Sequence, residues 1–530
     1  MKLKKKEGLF FFFLIFFSIY CSVTVGQSWD EPFHILQGKI TLEYLFSLGK
    51  IDKELFYREY YSPSYWSIKY LIMKIFPSKY QVEISHLVNL SVSIGTIIGF
   101  GKLGKELFNK EIGKIIFLIL FFYPVFFGHM GLNGKDTILA FSHVWITYLL
   151  LRYIKNQNYS KKANRYICSL SVLGGIGTGI QMLFLGSLFP ILLFVILDIF
   201  IFKKIVSKNF ELKKFFYDIL KCFFIFYFFI IIFWIDTHSN IFYLPFKFFT
   251  EFFSENFYTG WPFNLINGNY YFSDQIPKSY LLINFIYKSP EYILLLYFVF
   301  FILLIKFGKF FQLNFKNFNY KIIFIISFLL FPNLLLFVLP FPIYDGMRLF
   351  IWTLPYFCII PGLTIYFLIK NFKNLFFKTI SLIIGIMVIY FMYDFFKITP
   401  YQYAYLNLLN GKKEFRYKKF ENDYWGVSLK ELIKNSNLNF DEKIYISTCG
   451  INEFSAKKYF KEKGHRNLRF VKIEKADYII MTNRTTHKES EIKSVNNIIN
   501  CFDKYLGKNI YSVKRNKQIL SVIRKIEIIK

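Results

Sequence analysis

Residues 8–34, GLFFFFLIFFSIYCSVTVGQSWDEPFH, decide the fold. An apolar run long enough to cross a bilayer as a helix is followed by two neighbouring acids, Asp30 and Glu31. The basic segment MKLKKK precedes the run, as in a signal peptide. Because Tyr20 is a poor residue at a cleavage or lipidation site and further apolar runs follow, we predict a retained first transmembrane helix.

Further apolar runs recur along the chain, which has 530 residues and is 54% hydrophobic and 22% aromatic. A helix needs about twenty such residues to cross a bilayer. We predict about eleven spans in all, the later ones at 81–100, 115–127, 137–151, 167–180, 183–202, 216–235, 292–305, 322–339, 350–369 and 380–396. The expected fold class is an α-helical polytopic membrane protein with a small C-terminal α/β domain.

The formal charge of +31 is spread over short loops between these spans. When the spans alternate in direction, one side collects the lysines and arginines at 102–114, 152–162, 203–214, 306–309 and 370–373. The positive-inside rule makes that side cytoplasmic. The charge therefore indicates membrane topology, and we expect no nucleic-acid partner. The opposite side receives the loop 27–80, the turn 128–136, the loop 236–290, the turn 340–348 and everything after Thr399.

The polar tail differs in composition from the rest of the chain. We predict a transmembrane domain over residues 1–399 and an extracytoplasmic α/β domain over 400–530. In the tail, EKIYIST, LRFVKI and ADYIIMTN have the pattern of strands, NEFSAKKYFKEKG that of a helix capped by Gly464, and IYSVKRNKQILSVIRKI that of a hairpin.

The six cysteines, at 21, 168, 222, 358, 449 and 501, have no CxxC spacing, which argues against a zinc or disulfide framework. Cys449 and Cys501 fall in the tail. They can form a disulfide if the tail is outside the cytoplasm, or remain free thiols.

Polar clusters mark three turns on the side opposite the lysines. Asp30 and Glu31 follow the first span, and the second and third turns are GHMGLNGKD (128–136) and PIYDGMR (342–348). Each cluster has a simple structural explanation. Asp30 can cap a helix that begins near Pro32, Lys135 and Arg348 can reach for the interface, and Gly134 and Asp345 fit ordinary turns. Together, the acids, imidazole and cations favour the walls of a site.

These motifs resemble a known family in their order and sidedness. WDEPFH, GHMGLNGKD, FSDQIPKSYLLINFIYKSP, YDGMR, PYQYAYLNLL and FENDYWG look like bacterial polytopic glycosyltransferases of the C-type fold, similar to the protein O-mannosyltransferases and the lipid A aminoarabinose transferases of glycosyltransferase family 39 type. The resemblance extends from the first helix to about Gly426 and implies a hexosyl- or pentosyltransferase. It also implies a polyprenyl-phosphate sugar donor, and an aspartate at the reaction centre in the first extracytoplasmic loop. Asp30 matches that position, with Glu31 as its usual neighbour.

The predicted reaction is a single displacement that inverts the anomeric centre. Asp30 is the candidate general base, and Glu31 can share its proton or orient the sugar. Arg348 and Lys135 are candidates for the donor phosphate. The remaining candidates for substrate binding are His34, His129, Asp136, Tyr344 and Asp345.

Several alternatives remain open. Asp30, Glu31 and Asp136 could supply oxygen ligands to a divalent metal. Because no DxD pattern accompanies Asp30, we expect no cofactor. A transporter or flippase of lipid-linked sugars would need polar residues or broken helices near the midplane, for which LGGIGTGI is the one sign. A glycan ligase or polymerase would share the topology. The acceptor is a lipid, a glycan or a protein, and a bacterial inner membrane is the expected location.

Aromatic and polar residues outside the three turns allow two interpretations each. Trp261, Tyr270, Tyr271 and Tyr280 fit an interface belt or a sugar-stacking surface. FENDYWG fits a segment that packs the tail on the membrane domain, or one that contacts carbohydrate. Asn483-Arg484-Thr485 has the form of a glycosylation sequon, which chance also produces.

Overall fold

The computed structural model describes residues 5–51, 60–252, 260–338, 342–438, 443–465, 467–485 and 494–526. Part of the basic N-terminal segment and part of the turn 340–348 lie outside these residues. The chain forms a bundle of apolar helices, and a smaller tail domain built around a mixed sheet packs on one end of it.

Eight helical segments of the described chain are long and apolar enough to cross a membrane. They are Glu7–Thr24, Ser78–Leu107, Asp136–Asn156, Leu212–Phe233, Glu291–Asn314, Phe318–Val338, Arg348–Lys370 and Leu375–Lys397. The protein is therefore an integral multi-pass membrane protein. The corresponding helices are α1 (Lys5–Thr24), α4 (Gln81–Leu107), α7 (Asp136–Asn156), α11 (Leu212–Phe233), α14 (Glu291–Asn314), α15 (Phe318–Val338), α17 (Ile359–Lys370) and α18 (Leu375–Lys397).

The other predicted spans also fall on helices, but these helices are shorter, interrupted or less apolar. The span 115–127 is divided between α5 (Lys110–Phe121) and α6 (Pro124–His129), where Pro124 begins the second helix. The span 167–180 is α8 (Ser160–Ile180), and 183–202 is divided into α9 (Phe184–Ser187) and α10 (Phe189–Leu197). The count of eleven remains a prediction.

The glycine-rich segment LGGIGTGI is not broken, contrary to the sign of a discontinuous helix in the sequence. Helix α8 is continuous through it to Ile180, and the interruption comes afterwards, at Gln181. The glycines instead allow close packing, since a Cβ on Gly175 would lie 2.6 Å from the Phe229 ring of α11.

We call the end of the bundle where α1 ends and α7 begins the tail-side end. Helices α2 (Glu31–Phe46) and α3 (Ser64–Lys74) follow α1 there, and α12 (Leu244–Phe252), the hairpin β1 (Phe263–Ile266) and β2 (Asn269–Phe272), and α13 (Tyr280–Lys288) come later. A Cβ on Gly38 would overlap the Trp66 carbonyl, so the glycine lets α2 and α3 pack backbone to backbone. The short α16 (Leu354–Phe357) precedes α17.

The tail has the strands, helix and hairpin predicted from its sequence. A five-stranded sheet runs in the order β4 (Leu468–Phe470), β3 (Ile444–Cys449), β5 (Tyr478–Thr482), β7 (Gln518–Ile526) and β6 (Gly507–Arg515). Strand β3 is parallel to β4 and β5, whereas β7 is antiparallel to both of its neighbours. The tail helices are α19 (Leu429–Asn435), α20 (Glu453–Glu462) and α21 (Cys501–Lys504).

Two local predictions for the tail are resolved. Gly464 follows α20 with φ of 93°, as expected of a helix-ending glycine. Cys449 and Cys501 form a disulfide with a Cα–Cα distance of 5.8 Å, so the alternative of two free thiols is wrong. The disulfide connects the end of β3 to α21. The domain boundary at residues 399 and 400 remains a prediction.

Candidate active site

Three turns that are far apart in sequence meet around one arginine at the tail-side end. The guanidinium of Arg348 contacts the carboxylates of Asp30, Asp136 and Asp345. The Nε to Asp136 distance is 3.2 Å and the Nη1 to Asp345 distance is 2.7 Å. Arg348 is buried, and charge-assisted hydrogen bonds to these carboxylates stabilise its cation there. We call these four residues the Arg348 cluster.

Asp30 is the accessible acid of the Arg348 cluster. Its side chain is 31% exposed, compared with 2% for Asp136 and 1% for Asp345. It stands at the N-cap position of α2 with Pro32 in the first turn, as predicted, but its side chain makes no capping hydrogen bond. Burial opposes its ionisation, but the charge and hydrogen bond of Arg348, with the charge of Lys135, hold the pKa of the carboxyl below its ordinary value. An ionised acid thus faces solvent beside a buried cation.

Glu31 turns away from Asp30 into the protein. It is buried, and its carboxylate accepts a hydrogen bond from Ser85 Oγ at 2.5 Å and contacts His86 Nε2 at 3.0 Å. His86 also contacts the Ser22 carbonyl at 2.8 Å. Burial raises the pKa of Glu31, but His86, Lys69 and Ser85 together more than offset this and lower it to about 2. The sequence places the two acids side by side, whereas the helix points them in different directions.

His34 is part of the packed wall beside Asp30. Its ring stacks on Trp66 with 4.3 Å between centroids, and its backbone N–H donates to the Asp30 carbonyl at 3.1 Å. Burial lowers its pKa to about 3, with Asp30 opposing, so the ring is neutral at neutral pH. The alternative of a histidine on the wet face of an interfacial helix is wrong.

The turn 128–136 is held from within and by the tail. Asn133 Oδ1 accepts from the Asp136 N–H at 2.9 Å, and Asn133 Nδ2 donates to Asp136 Oδ2 at 2.9 Å. His129 Nε2 contacts the Tyr424 hydroxyl at 2.8 Å, and burial holds the pKa of His129 well below its ordinary value. The other oxygen of Asp136, Oδ1, is buried without a hydrogen-bond partner among the described residues.

Two lysines adjoin this turn, and sequence reasoning identified only one. Lys135 lies partly exposed, 5.8 Å from the centre of the Tyr61 ring. Lys69 of α3 is 1% exposed, and its ammonium has no hydrogen-bond partner among the described residues. A Cβ on Gly134 would lie 3.0 Å from Lys69 Nζ, so the glycine makes room for the lysine. Burial lowers the pKa of Lys69, and Glu31 opposes that shift.

Aromatic rings cover the Arg348 guanidinium on its open faces. Trp425 of FENDYWG lies 4.5 Å from the guanidinium carbon and Tyr344 lies 5.8 Å from it. In the same segment, Asp423 accepts hydrogen bonds from the backbone N–H groups of Val427 and Ser428. FENDYWG therefore packs the tail on the membrane domain, which confirms the first interpretation of this segment.

The tail supplies a second arginine that sequence reasoning missed. Arg484 follows β5 and donates to Asp345 at 2.6 Å and to the Tyr424 carbonyl at 2.7 Å. It stacks 3.8 Å from the Trp261 ring centre. Asn483 is buried and its amide donates to two carbonyls, which agrees with a chance sequon.

A small polar pocket lies beside Asp345. It is lined in part by Lys288, Glu421 and Asn284. Burial raises the pKa of Glu421 to about 7, with Arg484 opposing, and burial lowers that of Lys288 to about 8.

The described residues contain no preformed metal-binding site. No group of three or more histidine, cysteine, aspartate or glutamate side chains there is arranged to hold an ion. Asp30 and Asp136 face Arg348, and Glu31 faces His86. The absence of a cofactor remains a prediction.

Comparisons with known proteins relate the fold to one class. No protein-family model matches the sequence, and no curated protein matches it either. A crystal structure of ArnT from Cupriavidus metallidurans in the apo state matches with a TM-score of 0.51 over 97% of both chains, at 11% identity. ArnT is an aminoarabinose transferase of the C-type fold. This chain has the C-type glycosyltransferase fold.

Two other solved structures are similar at lower scores. ArnT bound to undecaprenyl phosphate gives a TM-score of 0.48 at 11% identity over 97% of both chains. The Archaeoglobus fulgidus oligosaccharyltransferase in the apo form gives 0.40 at 12% identity, over 89% of this chain and 69% of that one. The C-type fold agrees with the resemblance seen in the sequence motifs.

Proposed function

We propose that this protein is a membrane glycosyltransferase that moves a hexose or pentose from a polyprenyl-phosphate donor to an extracytoplasmic acceptor. One observation carries the proposal: Asp30, a partly exposed and ionised acid, is paired with the buried Arg348 where the apolar helices end. This position at the end of the apolar helices suits a sugar donor that carries a lipid tail. The tail stays in the bilayer, the phosphate reaches the interface and the acceptor comes from water.

Asp30 acts as the general base in this reaction. An acceptor hydroxyl attacks the anomeric carbon while its proton passes to the Asp30 carboxylate. The bond between that carbon and the phosphate oxygen breaks, and polyprenyl phosphate leaves with the bonding electrons. A single displacement of this kind inverts the anomeric centre. Asp136 and Asp345 hold Arg348, and Arg348 in turn fixes the Asp30 carboxylate.

Lysine side chains are the proposed partners of the departing phosphate. Arg348 already directs three of its N–H groups at carboxylates. It is therefore less available to the phosphate than the sequence suggested. Lys69 is buried without a hydrogen-bond partner in the described chain, and Lys135 is next to the same glycine turn. A phosphate dianion there would neutralise both ammonium groups, and the growing negative charge would be stabilised.

The other site residues receive supporting roles in the proposal. His129 and Asn133 hold the turn that carries Lys135, and Tyr344 covers Arg348. His34 and Glu31 shape the wall beside Asp30. A bound divalent metal is not part of the proposed mechanism, because the acids that would hold it already face Arg348 or His86.

The proposed location is a bacterial inner membrane with the tail domain outside the cytoplasm. The Cys449–Cys501 disulfide supports this orientation, since disulfides persist in oxidising compartments. The distribution of lysines supports it independently, because the loops rich in lysine belong to the other end of the bundle.

The test is transfer of label by the purified protein in detergent. Undecaprenyl phosphate carrying a labelled hexose is a suitable donor, since ArnT was crystallised with undecaprenyl phosphate. We expect the label to leave the lipid and join an acceptor from the cell envelope, with inverted linkage. Detergent removes the two compartments that transport requires. Label that moves only across intact vesicles, and never leaves its lipid in detergent, would favour a flippase.

A further inference from the structure

Arg484 connects the tail domain to the candidate base by an unbroken chain of charges. Its Nη2 contacts Asp345 Oδ1 at 2.6 Å, and Asp345 Oδ2 contacts Arg348 Nη1 at 2.7 Å. Arg348 Nη2 then contacts Asp30. The first three residues of this chain are at least 95% buried, so water screens their charges little. Loss of the Arg484 charge therefore changes the electrostatic environment of Asp345, the carboxylate that binds Arg348.

A second set of contacts links Arg484 to the same place. The guanidinium carbon lies 3.8 Å from the Trp261 ring centre and 5.8 Å from that of Trp29, which directly precedes Asp30. The two indoles meet edge to face at 5.8 Å. Arg484 thus contacts three segments of the tail-side end: the residues before α2, those before β1, and the turn before Arg348.

The tail is built to hold Arg484 in this position. It follows the central strand β5, and the preceding Asn483 donates to the carbonyls of Tyr417 and Phe420 at 2.8 Å each. Arg484 itself donates to the Tyr424 carbonyl. Its position is therefore set by a sheet and by backbone contacts, which makes its side chain a fixed charge.

We propose that Arg484 is a positioning residue, supplied by the tail domain, that holds Asp345 and Arg348 in the arrangement that orients Asp30. This inference rests on the proposed function. It gives the tail a role beyond covering the membrane domain: its arginine forms one of the two ion pairs that hold Asp345. A buried carboxylate that loses one of these two ion pairs would shift or draw Arg348 away from Asp30.

Loss of Arg484 alone leaves the tail attached through several other contacts. Lys430 pairs with Glu83 at 2.9 Å, Lys413 pairs with Asp394 at 2.8 Å, and the Gly26 N–H donates to the Val427 carbonyl at 2.9 Å. The variant is thus expected to remain folded and docked, which limited proteolysis of the tail would check.

The experiment compares Arg484→Ala and Arg484→Lys with Arg524→Ala in the full-length protein. Arg524 is a matched control because it lies in β7 and donates within the tail, to the Phe502 carbonyl at 2.8 Å and to Asn509 at 2.7 Å. With the labelled undecaprenyl-phosphate hexose, Arg484→Ala should lower kcat by about 100-fold, the loss expected when a reacting group is misplaced by about 1 Å. KM for the donor should change little, and Arg484→Lys should recover part of kcat.

A double-mutant cycle tests the contact even without activity. The melting temperatures of Arg484→Ala, Asp345→Asn and the double variant should be non-additive, because both single changes remove the same ion pair. Additive melting temperatures, a kcat near that of the wild type for Arg484→Ala, or an equal loss of kcat in Arg524→Ala would overturn the inference. If the wild type transfers no label, the proposed function fails, and the cycle alone decides whether Arg484 positions Asp345.

Discussion

At the scale of single residues, burial separates side chains that the sequence presents as equals. Asp30 and Glu31 are neighbours, yet one faces solvent beside Arg348 and the other is enclosed with Ser85 and His86. The sequence predicted the position of Asp30 because an acid directly after a long apolar run must lie near the membrane boundary. It did not predict the direction of Glu31, because that depends on which helix packs against α2.

Lys69 is the residue whose role sequence could not indicate. A lysine in the segment SYWSIKYLIMK has the pattern of a solvated position on an amphipathic helix, and only the packing of α3 against the turn 128–136 encloses it. An enclosed cation with no hydrogen-bond partner in the described chain is costly, which argues that it is retained for an anionic ligand.

Lys69→Met should therefore weaken the binding of undecaprenyl phosphate by roughly tenfold or more, the equivalent of about 1.4 kcal/mol, while leaving the melting temperature equal or higher. Removal of an unpaired buried charge costs no stability, whereas removal of a phosphate partner costs affinity. Lys74→Met is the control, since Lys74 is an exposed lysine of the same helix. Unchanged affinity in Lys69→Met would show that the phosphate binds elsewhere.

At the scale of elements, the sequence predicted the strands of the tail but not the way in which they are used. Alternation and β-branched residues are local signals, and the predicted strands and hairpin are present. The contact between Arg484 and Asp345 joins residues 139 positions apart, and no local pattern specifies it. FENDYWG shows the same limit, because its packing role depends on Tyr403 and His129 of other segments.

Glu421 of FENDYWG should make the stability of the protein depend on pH. Burial raises its pKa from 4.5 to about 7, with Asp345 acting in the same direction and Arg484 and Lys288 opposing. The folded protein keeps this proton up to about pH 7, whereas the unfolded chain releases it near pH 4.5. The unfolded state thus binds fewer protons in that window, and stability falls as the pH rises from 4.5 through 7.

Glu421→Gln removes this loss because the side chain no longer ionises. We expect its melting temperature in detergent to exceed that of the wild type at pH 8 and to match it near pH 5. Glu453→Gln, a change of an exposed acid in α20, should show no such difference. A wild type that is at least as stable at pH 8 as Glu421→Gln would contradict the raised pKa.

At the scale of the whole molecule, the arrangement places a charged site where apolar helices end and a disulfide-bonded tail begins. The sequence was sufficient for the fold class because runs of apolar residues and the lysines between them are read along the chain. The number of spans was harder to predict, since α5, α9 and α10 are too short to be assigned as spans by length alone. Convergence of the three turns could be predicted because all lay on one side of the same bundle.

The most direct test of the account is transfer by Asp30→Asn, measured with the labelled undecaprenyl-phosphate hexose. Asparagine keeps the size of the side chain but cannot accept the proton, so turnover should fall by at least about 100-fold, the usual contribution of a general base. Asp274→Asn, which alters an exposed acid between β2 and α13, should transfer at the rate of the wild type. Near-normal turnover by a folded Asp30→Asn protein would contradict the assignment of Asp30 as the base.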